Sequence, residues 1–360
     1  MVTRPSDDDE TVWRAPRLPF NPGLNRAVIA GLPGLPAGVP GTPANRWLTS
    51  WAIARQIDES PVLRPILDEP PTQTARPGGT GHPARLIPKL RGLNDLVSSP
   101  QAAGHAEATA LCGRLGLVLG ALIATLVTGP SDARDARPEW PAAQWDRWRG
   151  VRRIAIAGGI VRGELGRILV REAQAYLGRL GVPVTLALAH PPEDLVLRGL
   201  AVVADTTAGV AVDAGGTAIK RAEVLAGALG RRWPDRPTPG WSDGDPPILE
   251  ALAESIAEAV AEASGAGPVP VGLALATYVD RAGQPYADQL GPYAPLAEAR
   301  FPAEVGRRVE AIARRTVPLT IRHDGAAALL GARAADPATD AVIVLGTAIG
   351  VGLDGLLPPG

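Results

Sequence analysis

Four short stretches of this 360-residue chain hold residues whose types and spacing suit phosphate chemistry. VDAGGTAIK places Asp213 at the end of an apolar run, then Gly215, Gly216 and Thr217, then Lys220 inside a second apolar run. VLGTAIGVG repeats the plan with Gly346, Thr347 and Gly350. Glycine at such a turn lets backbone N–H groups approach phosphate oxygens with no Cβ in the way, and each threonine hydroxyl adds a donor. IRHDG puts Asp324 where a strand gives way to a helix, and a carboxylate there can take the proton of a hydroxyl attacking a γ-phosphorus. AGGI, with Gly158 and Gly159 after a strand, offers a surface free of side chains on which an adenine ring could lie. Each stretch alone also has a plainer reading, since tight turns use glycine in any case and a strand-end Asp serves as a helix N-cap. Neither hairpin fits GxxxxGK[ST], or a GxGxxG that opens a helix, so P-loop and Rossmann readings fail on context.

Composition narrows the classes. Net charge is −1, which gives no pointer to nucleic acid or an anionic membrane. The single cysteine, Cys112, excludes an internal disulfide and a multi-cysteine zinc site, and fits a reducing cytoplasm. The acidic, polar start MVTRPSDDDETVWR has no apolar core of the signal-peptide kind. The one long apolar run, LGLVLGALIATLV at 115–127, falls short of the ~20 residues that span a bilayer and reads as a buried core helix. Of 36 basic residues only Lys89 and Lys220 are lysine. A generic surface cation in this chain is therefore arginine, which sets Lys220 apart, although a solvated hairpin lysine is the plain alternative.

The elements that must position these residues alternate. A helix is expected over 105–129, a Trp-spaced turn or short helix over 140–150, and a strand over 151–160. Then follow a helix (164–181), a strand (183–190), a helix (192–204), the first hairpin (209–224) and a strongly periodic helix (248–267). A strand (269–280), a helix (302–316), a strand (317–325), a helix (324–335) and the second hairpin (340–355) complete the order. Alternation of this kind argues α/β with a mainly parallel sheet. The first hundred residues hold 16 of the 37 prolines and read as loop-rich, with one helix over 45–57.

Together these pieces resemble the ROK family of sugar kinases, within the actin/hexokinase-like ATPase fold. VDAGGTAIKRAEV resembles the family's first phosphate motif, RPTPGWSDGDPPILEALAESIAEAV (236–260) its Thr-Pro segment and helix, and VGLALATYVDRAGQPYADQLGPYAPL (271–296) its Val-Asp and Asn-Leu-Pro segment. IRHDGAAALLGA resembles the catalytic element, VLGTAIGVGLDG the second phosphate motif, and RIAIAGGIVRGELGRIL the adenosine motif. The likeness spans roughly 260 residues and leaves out the first hundred or so. The family runs from first phosphate motif to adenosine motif and terminal helix. In this chain the adenosine motif and terminal helix come before the first phosphate motif, the catalytic Asp and the second phosphate motif, so the resemblance implies a circular permutation joined through ADTTA (204–208). The expected division is 1–190 in a larger lobe, 191–322 in a smaller lobe with the first phosphate motif, and 323–360 returning to the larger lobe.

The resemblance implies an ATP- and Mg²⁺-dependent kinase acting on a hydroxyl of a sugar or cyclitol. Asp324 would be the general base. Gly215, Gly216 and Thr217, with Gly346, Thr347 and Gly350, would hold the β- and γ-phosphates; Lys220 could add charge there; Asp213 would organise hydrated Mg²⁺; Gly158 and Gly159 would face adenine. The chain departs from the family on the acceptor side, with His323 in place of Asn, Ala276-Thr277 in place of Pro-Gly and Gln289 in place of a sugar-contacting Asn. It has no Cys-rich zinc motif, no clear Glu-x-Gly-His motif (His82 and His105 each follow Gly) and no N-terminal helix-turn-helix. Acceptor contacts are expected from Thr277, Gln289 and His323 and, by topology, from Asn94, Asp95, Trp47 and Trp51 in the N-terminal segment. The expected partner is a small-molecule polyol, with a homodimer allowed and no nucleic acid or membrane. A non-catalytic nucleotide or sugar sensor, and a kinase for a non-sugar, pantothenate-like alcohol, stay open.

Overall fold

The computed structural model describes residues 15–68, 86–204, 208–241, 244–287 and 289–356. His82, most of the ADTTA join and the chain's first residues lie outside them. The helices are α1 Asn45–Leu48, α2 Ser50–Glu59, α3 Arg64–Leu67, α4 Leu86–Ser98, α5 His105–Thr128, α6 Ser131–Asp135, α7 Ala142–Gly150, α8 Gly163–Arg179, α9 Leu195–Ala204, α10 Ile248–Glu262, α11 Phe301–Ala313 and α12 Asp324–Ala335. The strands are β1 Arg153–Ala157, β2 Thr185–Leu188, β3 Ala208–Ala214, β4 Ala218–Leu225, β5 Ala228–Pro237, β6 Val271–Leu275, β7 Leu319–His323, β8 Ala341–Leu345 and β9 Ile349–Leu353. The protein is mixed α/β, with two sheets rather than the one mainly parallel sheet that alternation suggests.

The two sheets share a plan. One has the order β5-β4-β3-β6-β7, in which hairpin β3–β4 is extended on the β3 side by the parallel strands β6 and β7. The other has the order β2-β1-β8-β9, in which hairpin β8–β9 is extended on the β8 side by the parallel strands β1 and β2. The second sheet differs in two respects: among the described residues it has no counterpart of β5, and its added strands come from earlier in the chain than its hairpin.

Burial follows the apolar runs. β6 (VGLAL) is buried at every position, as a central parallel strand should be, and β3 is nearly so. β5, missed in the sequence, is an exposed Arg-rich edge strand that buries only Trp233. One core gathers α5, α8, β1 and β8 with residues from Leu24 to Val97, so the Pro-rich N-terminal segment contributes packed core and not only loops. A second core lies between β3, β6, α10 and α11. A third, built around α9 and α12, draws residues from both sheets. α5 is long and apolar enough to cross a membrane, but 78% of its apolar window is buried within the protein. It packs as the core helix that its composition suggests.

Candidate functional site

The strand registers place the four stretches. Ala214 pairs with Leu275, and Leu275 with His323, so the carboxyl ends of β3, β6 and β7 lie level. Ala157 pairs with Val344, so those of β1 and β8 do as well. Ligands of open α/β sheets bind outside such carboxyl ends. Asp213, Thr277, Asp324, the Gly158 turn and the Gly346 turn all sit there.

In the first hairpin Asp213 and Lys220 are directly opposed across β3 and β4. Directly opposite antiparallel residues bring their Cβ atoms to ~5 Å, within reach of a long side chain. Lys220 Nζ donates to Asp213 Oδ2 at 2.8 Å and to the Glu193 carbonyl at 3.3 Å. Asp213 is buried. The turn's carbonyls are held from behind: Thr238 Oγ1 and Tyr293 OH both donate to the Gly215 carbonyl, at 2.7 and 2.8 Å, and Trp241 Nε1 to that of Gly216 at 2.7 Å. Pinning three donors on those carbonyls fixes the peptide planes of the turn.

The second hairpin meets the first. Thr217 Oγ1 and Thr347 Oγ1 lie 2.5 Å apart and share a hydrogen bond. The Gly346 carbonyl accepts from Ser50 N–H at the start of α2, and Ile349 N–H donates to Asn25 Oδ1. A cavity of about 390 Å³ opens beside Thr347, lined by Asn25, Asn45, Arg46, Thr49, Trp51 and Arg55.

Asp324 is seated by close backbone packing. A Cβ on Gly325 would fall 1.9 Å from the Val351 carbonyl, and one on Gly352 would fall 2.1 Å from the Gly325 carbonyl. Only glycine at both places lets the first turn of α12 lie against β9. The carboxylate then faces the second hairpin, with Oδ1 3.9 Å from where a Gly350 Cβ would stand. Gly325 N–H donates to Oδ1 at 2.6 Å, and His323 Nε2 lies 3.1 Å from the same oxygen. Burial, then the negative charge of Asp213, push the Asp324 carboxyl up to about 7, against the pull of Gly325 N–H and Lys220. Burial alone pulls His323 down to about 3, so its imidazole is neutral. The His323 ring stacks on Tyr278 with centroids 4.2 Å apart and planes 18° apart.

Gly158 has φ +108°, and a Cβ there would strike the Leu345 carbonyl at 2.2 Å. Its glycine is required by contact with β8. Gly159 is exposed with nothing within 4 Å of a Cβ, which leaves the open surface the adenine reading needs. Gly158 N–H donates to the Pro192 carbonyl, in the loop whose Glu193 carbonyl takes Lys220. That loop ties the Gly158 turn to the first hairpin.

The acceptor-side residues divide. Thr277 Oγ1 donates to Gln289 Oε1 at 3.1 Å, and Tyr278 N–H reaches the same oxygen at 3.3 Å. Through Tyr278 this loop leads to His323, so Thr277, Gln289 and His323 come together. Asn94 is elsewhere: its Oδ1 accepts Leu165 N–H at 3.3 Å, at the start of α8, and Asp95 is exposed on α4. The N-terminal segment approaches the site by other residues. Pro16 accepts from Ala287 N–H, Gly23 lies against the Tyr278 hydroxyl, and Asn25 and Trp51 flank Thr347. Trp47 bonds Thr42 instead, and the His105 ring bonds the Leu96 carbonyl. Sequence reading missed Tyr278, Tyr293, Thr238, Trp241 and Asn25. The first four lie within the Thr-Pro and Val-Asp segments, whose likeness marked the stretch but gave those residues no role.

An Mg²⁺ ion and a nucleotide can be tested against this donor set. Asp213 offers a hard carboxylate oxygen in the same hairpin as Thr217, whose hydroxyl meets that of Thr347, and among the described residues no group of three or more His, Cys, Asp or Glu surrounds it. Mg²⁺ keeps several waters and takes one or two carboxylates plus substrate phosphates, so the set fits an ion brought in on a nucleotide.

No family model matches the chain, and no curated protein matches it. Among solved structures, the chain is similar to inorganic polyphosphate/ATP-glucomannokinase from Arthrobacter sp. strain KM, at 27% identity over 43% of this chain, with a TM-score of 0.33. The match spans 62% of that kinase, less than two thirds of its length. It is also similar to the Aquifex aeolicus member of the Ppx/GppA protein family, at 10% identity over 68% of this chain and 87% of that one, with a TM-score of 0.31.

Proposed function

We propose that the protein is an ATP-dependent phosphotransferase of the two-lobed actin/hexokinase-like plan, related to the ROK sugar kinases by circular permutation, with an alcohol as acceptor. The observation that carries this is the seat of Asp324. A carboxylate pushed up to about 7 stands at the carboxyl end of β7 and faces a glycine hairpin whose threonine touches that of a second one. A general base works best with a pKa near the working pH.

Each residue has a role in this reading. Oδ2 of Asp324 takes the proton of the acceptor hydroxyl. The acceptor oxygen forms its bond to the γ-phosphorus while the bond from that phosphorus to the β,γ-bridging oxygen breaks, and ADP leaves with the electron pair. Gly215, Gly216, Gly346 and Gly350 present the backbone on either side of the phosphates. Thr217 and Thr347 exchange their mutual hydroxyl bond for phosphate oxygens, trading one neutral hydrogen bond for two charge-assisted ones. Lys220, bonded to Asp213, would share its charge with the phosphates. Asp213 would hold waters of a nucleotide-bound Mg²⁺, which when present neutralises charge developing on the phosphates. Gly159 would lie under adenine, with Gly158 shaping the turn. Thr277 and Gln289 would face the acceptor, a sugar, cyclitol or other polyol. Positioning and fixed electrostatics carry most of the rate in such transfers.

The matching plan of the two sheets supports the permuted reading, because moving β1 and β2 behind β9 would give both sheets one chain order. The test is ATP turnover by purified protein against a panel of sugars, cyclitols and other alcohols. Acceptor-dependent ADP release that vanishes in Asp324→Asn is expected. Nucleotide binding with no turnover across the panel would favour the sensor reading.

A further inference from the structure

We infer that the cavity beside Thr347 is an anion subsite for the acceptor, so that the alcohol receiving the phosphoryl group also carries a carboxylate or a phosphate. This rests on the phosphotransferase reading and narrows its acceptor from any polyol to an anionic one.

The lining of the cavity carries one sign of charge. Arg46 and Arg55 stand on it, and no aspartate or glutamate does. The two arginines are held differently. Arg55 Nη2 donates to the Arg46 carbonyl at 2.8 Å, and its Nε lies 3.5 Å from Glu59 Oε1, one turn along α2. Those contacts fix the Arg55 guanidinium. That of Arg46 makes no hydrogen bond, ion pair or ring contact among the described residues. Lys220, by contrast, already has Asp213. Asn25 Oδ1 accepts from Ile349 N–H at 2.9 Å, which turns the amide so that its NH2 is a spare donor. A space bordered by cations and donors suits a group that only accepts. Guanidinium groups bind carboxylate and phosphate in bidentate fashion, and a recess of one charge sign concentrates its counter-ion. The volume, about 390 Å³, falls within the ~300–1,000 Å³ of small-molecule sites.

Position favours the acceptor over the nucleotide. Thr347 borders the cavity and also belongs to the turn assigned to the phosphates, so an occupant stands next to the γ-phosphate. In the strand order β1-β8-β9, the Gly158 turn lies on the β1 side, against the Leu345 carbonyl. The cavity lies on the β9 side, where Asn25 holds Ile349. Adenosine and the occupant of the cavity thus leave the hairpin on different sides. Two residues before Asn25, Gly23 lies against the Tyr278 hydroxyl, and the Tyr278 ring stacks on His323, the neighbour of Asp324. One N-terminal segment therefore borders both the cavity and the residues around the proposed base. Trp51, also on the lining, supplies apolar surface for a carbon skeleton.

The test compares each neutral alcohol with its own acid and monophosphate: glucose with gluconate and glucose 6-phosphate, and glycerol with glycerate and glycerol 3-phosphate. With MgATP, at least one anionic member should exceed its neutral partner in kcat/KM by about 10-fold or more. Arg46→Ala should cut that preference by about 10- to 10²-fold, the worth of a charge-assisted hydrogen bond. Arg46→Lys keeps the charge without the fork and should lose less, and Arg46→Ala with Arg55→Ala should lose most. Turnover in which no acid surpasses its neutral partner would overturn the inference and leave the phosphotransferase reading standing. So would an acid preference that survives the double change. A raised KM for ATP with the preference intact would give the cavity to the nucleotide's phosphates instead. If nothing in the panel turns over, calorimetric titration of gluconate and glucose 6-phosphate into the full chain decides, with the β,γ-methylene analogue of ATP and Mg²⁺ present. Binding that weakens in the double variant would support the anion subsite while the phosphotransferase reading falls. No binding of either acid would end the proposal.

Discussion

The charge on Asp324 has a thermodynamic consequence that needs no substrate to observe. Its carboxyl is raised from 3.8 to about 7, so the native state holds its proton over a pH range in which the unfolded chain has lost it. Stability from this group therefore falls as pH rises from about 4 to about 7, and above that the full cost is present, on the order of 4 kcal/mol. His323 acts with the opposite slope. Lowered from 6.5 to about 3, it contributes stability that is complete above 6.5 and is lost as pH falls towards 3. Asp324→Asn keeps the size and removes the first effect alone. Thermal melts should place it above the native protein at pH 8 and close to it at pH 4, while phosphoryl transfer drops by about 10²–10⁴-fold and ATP binding is retained. An equal melting difference at both pH values would mean that no proton is displaced at this site. The glycine pair after β1 gives a second residue-scale prediction. Gly158→Ala forces a side chain against the Leu345 carbonyl at a positive φ, and should cost about 3 kcal/mol or more. Gly159→Ala meets open space, so it should leave the melting point in place and raise the KM for ATP alone. Matching effects in the two variants would remove adenine from this turn.

Among the elements, α9 and α12 cross with their backbones in contact. A Cβ on Gly199 would stand 1.7 Å from the Ala327 carbonyl, and one on Gly331 2.2 Å from the Leu195 carbonyl. Because α12 opens with Asp324, anything that separates these helices moves the carboxylate relative to both hairpins. Gly331→Ala should therefore cost about 1–3 kcal/mol and lower kcat, while Gly306→Ala, on the open side of α11, should leave kcat alone and add about 0.5–1 kcal/mol through helix propensity. Differential scanning calorimetry and steady-state kinetics on the two variants test this, and a native kcat in Gly331→Ala would uncouple the helix crossing from the site. How far the elements could be read from sequence follows their physics. Strands buried on both faces, such as β3 and β6, announce themselves as apolar runs, and α10 by its period. β5 carries one buried residue, Trp233, so it has no pattern to find. The helix expected over 45–57 breaks at Thr49, whose hydroxyl accepts from Ala52 N–H and caps α2. The Asp213–Lys220 pair was within reach of sequence because hairpin register follows from spacing. The donors behind the Gly215 turn were not: Thr238, Trp241 and Tyr293 arrive from far along the chain, and only the fold aligns them. Asn94 was assigned by topology alone, and an amide that caps α8 looks in sequence like one that binds a polyol.

At the scale of the molecule, chain order and spatial order disagree in one sheet only. Hairpin β3–β4 precedes the strands that extend it, whereas hairpin β8–β9 follows β1 and β2. Nothing in the pairing of either sheet depends on that order, since parallel β1 and β8 are joined through the whole intervening chain in any case. If the arrangement is a permutation, the chain can be cut at 205–207, between α9 and β3, and its present ends joined by a Gly/Ser linker. The new chain would open with the first hairpin, proceed through Asp324 and the second hairpin to the N-terminal segment, and finish with β1, α8, β2 and α9. Every core contact is retained. The entropic cost of exchanging one flexible connection for another grows only with the logarithm of its length, about 0.6 kcal/mol per doubling. The rearranged protein should therefore melt within a few degrees of the native one and keep its acceptor-dependent turnover. A cut between Gly215 and Gly216 is the control. It spares the strands but severs the backbone whose carbonyls Thr238, Tyr293 and Trp241 hold, so it should abolish turnover. If the rearranged chain failed to fold, the link between α9 and β3 would be an obligatory connection rather than a join, and the permuted relationship would lose its main physical support.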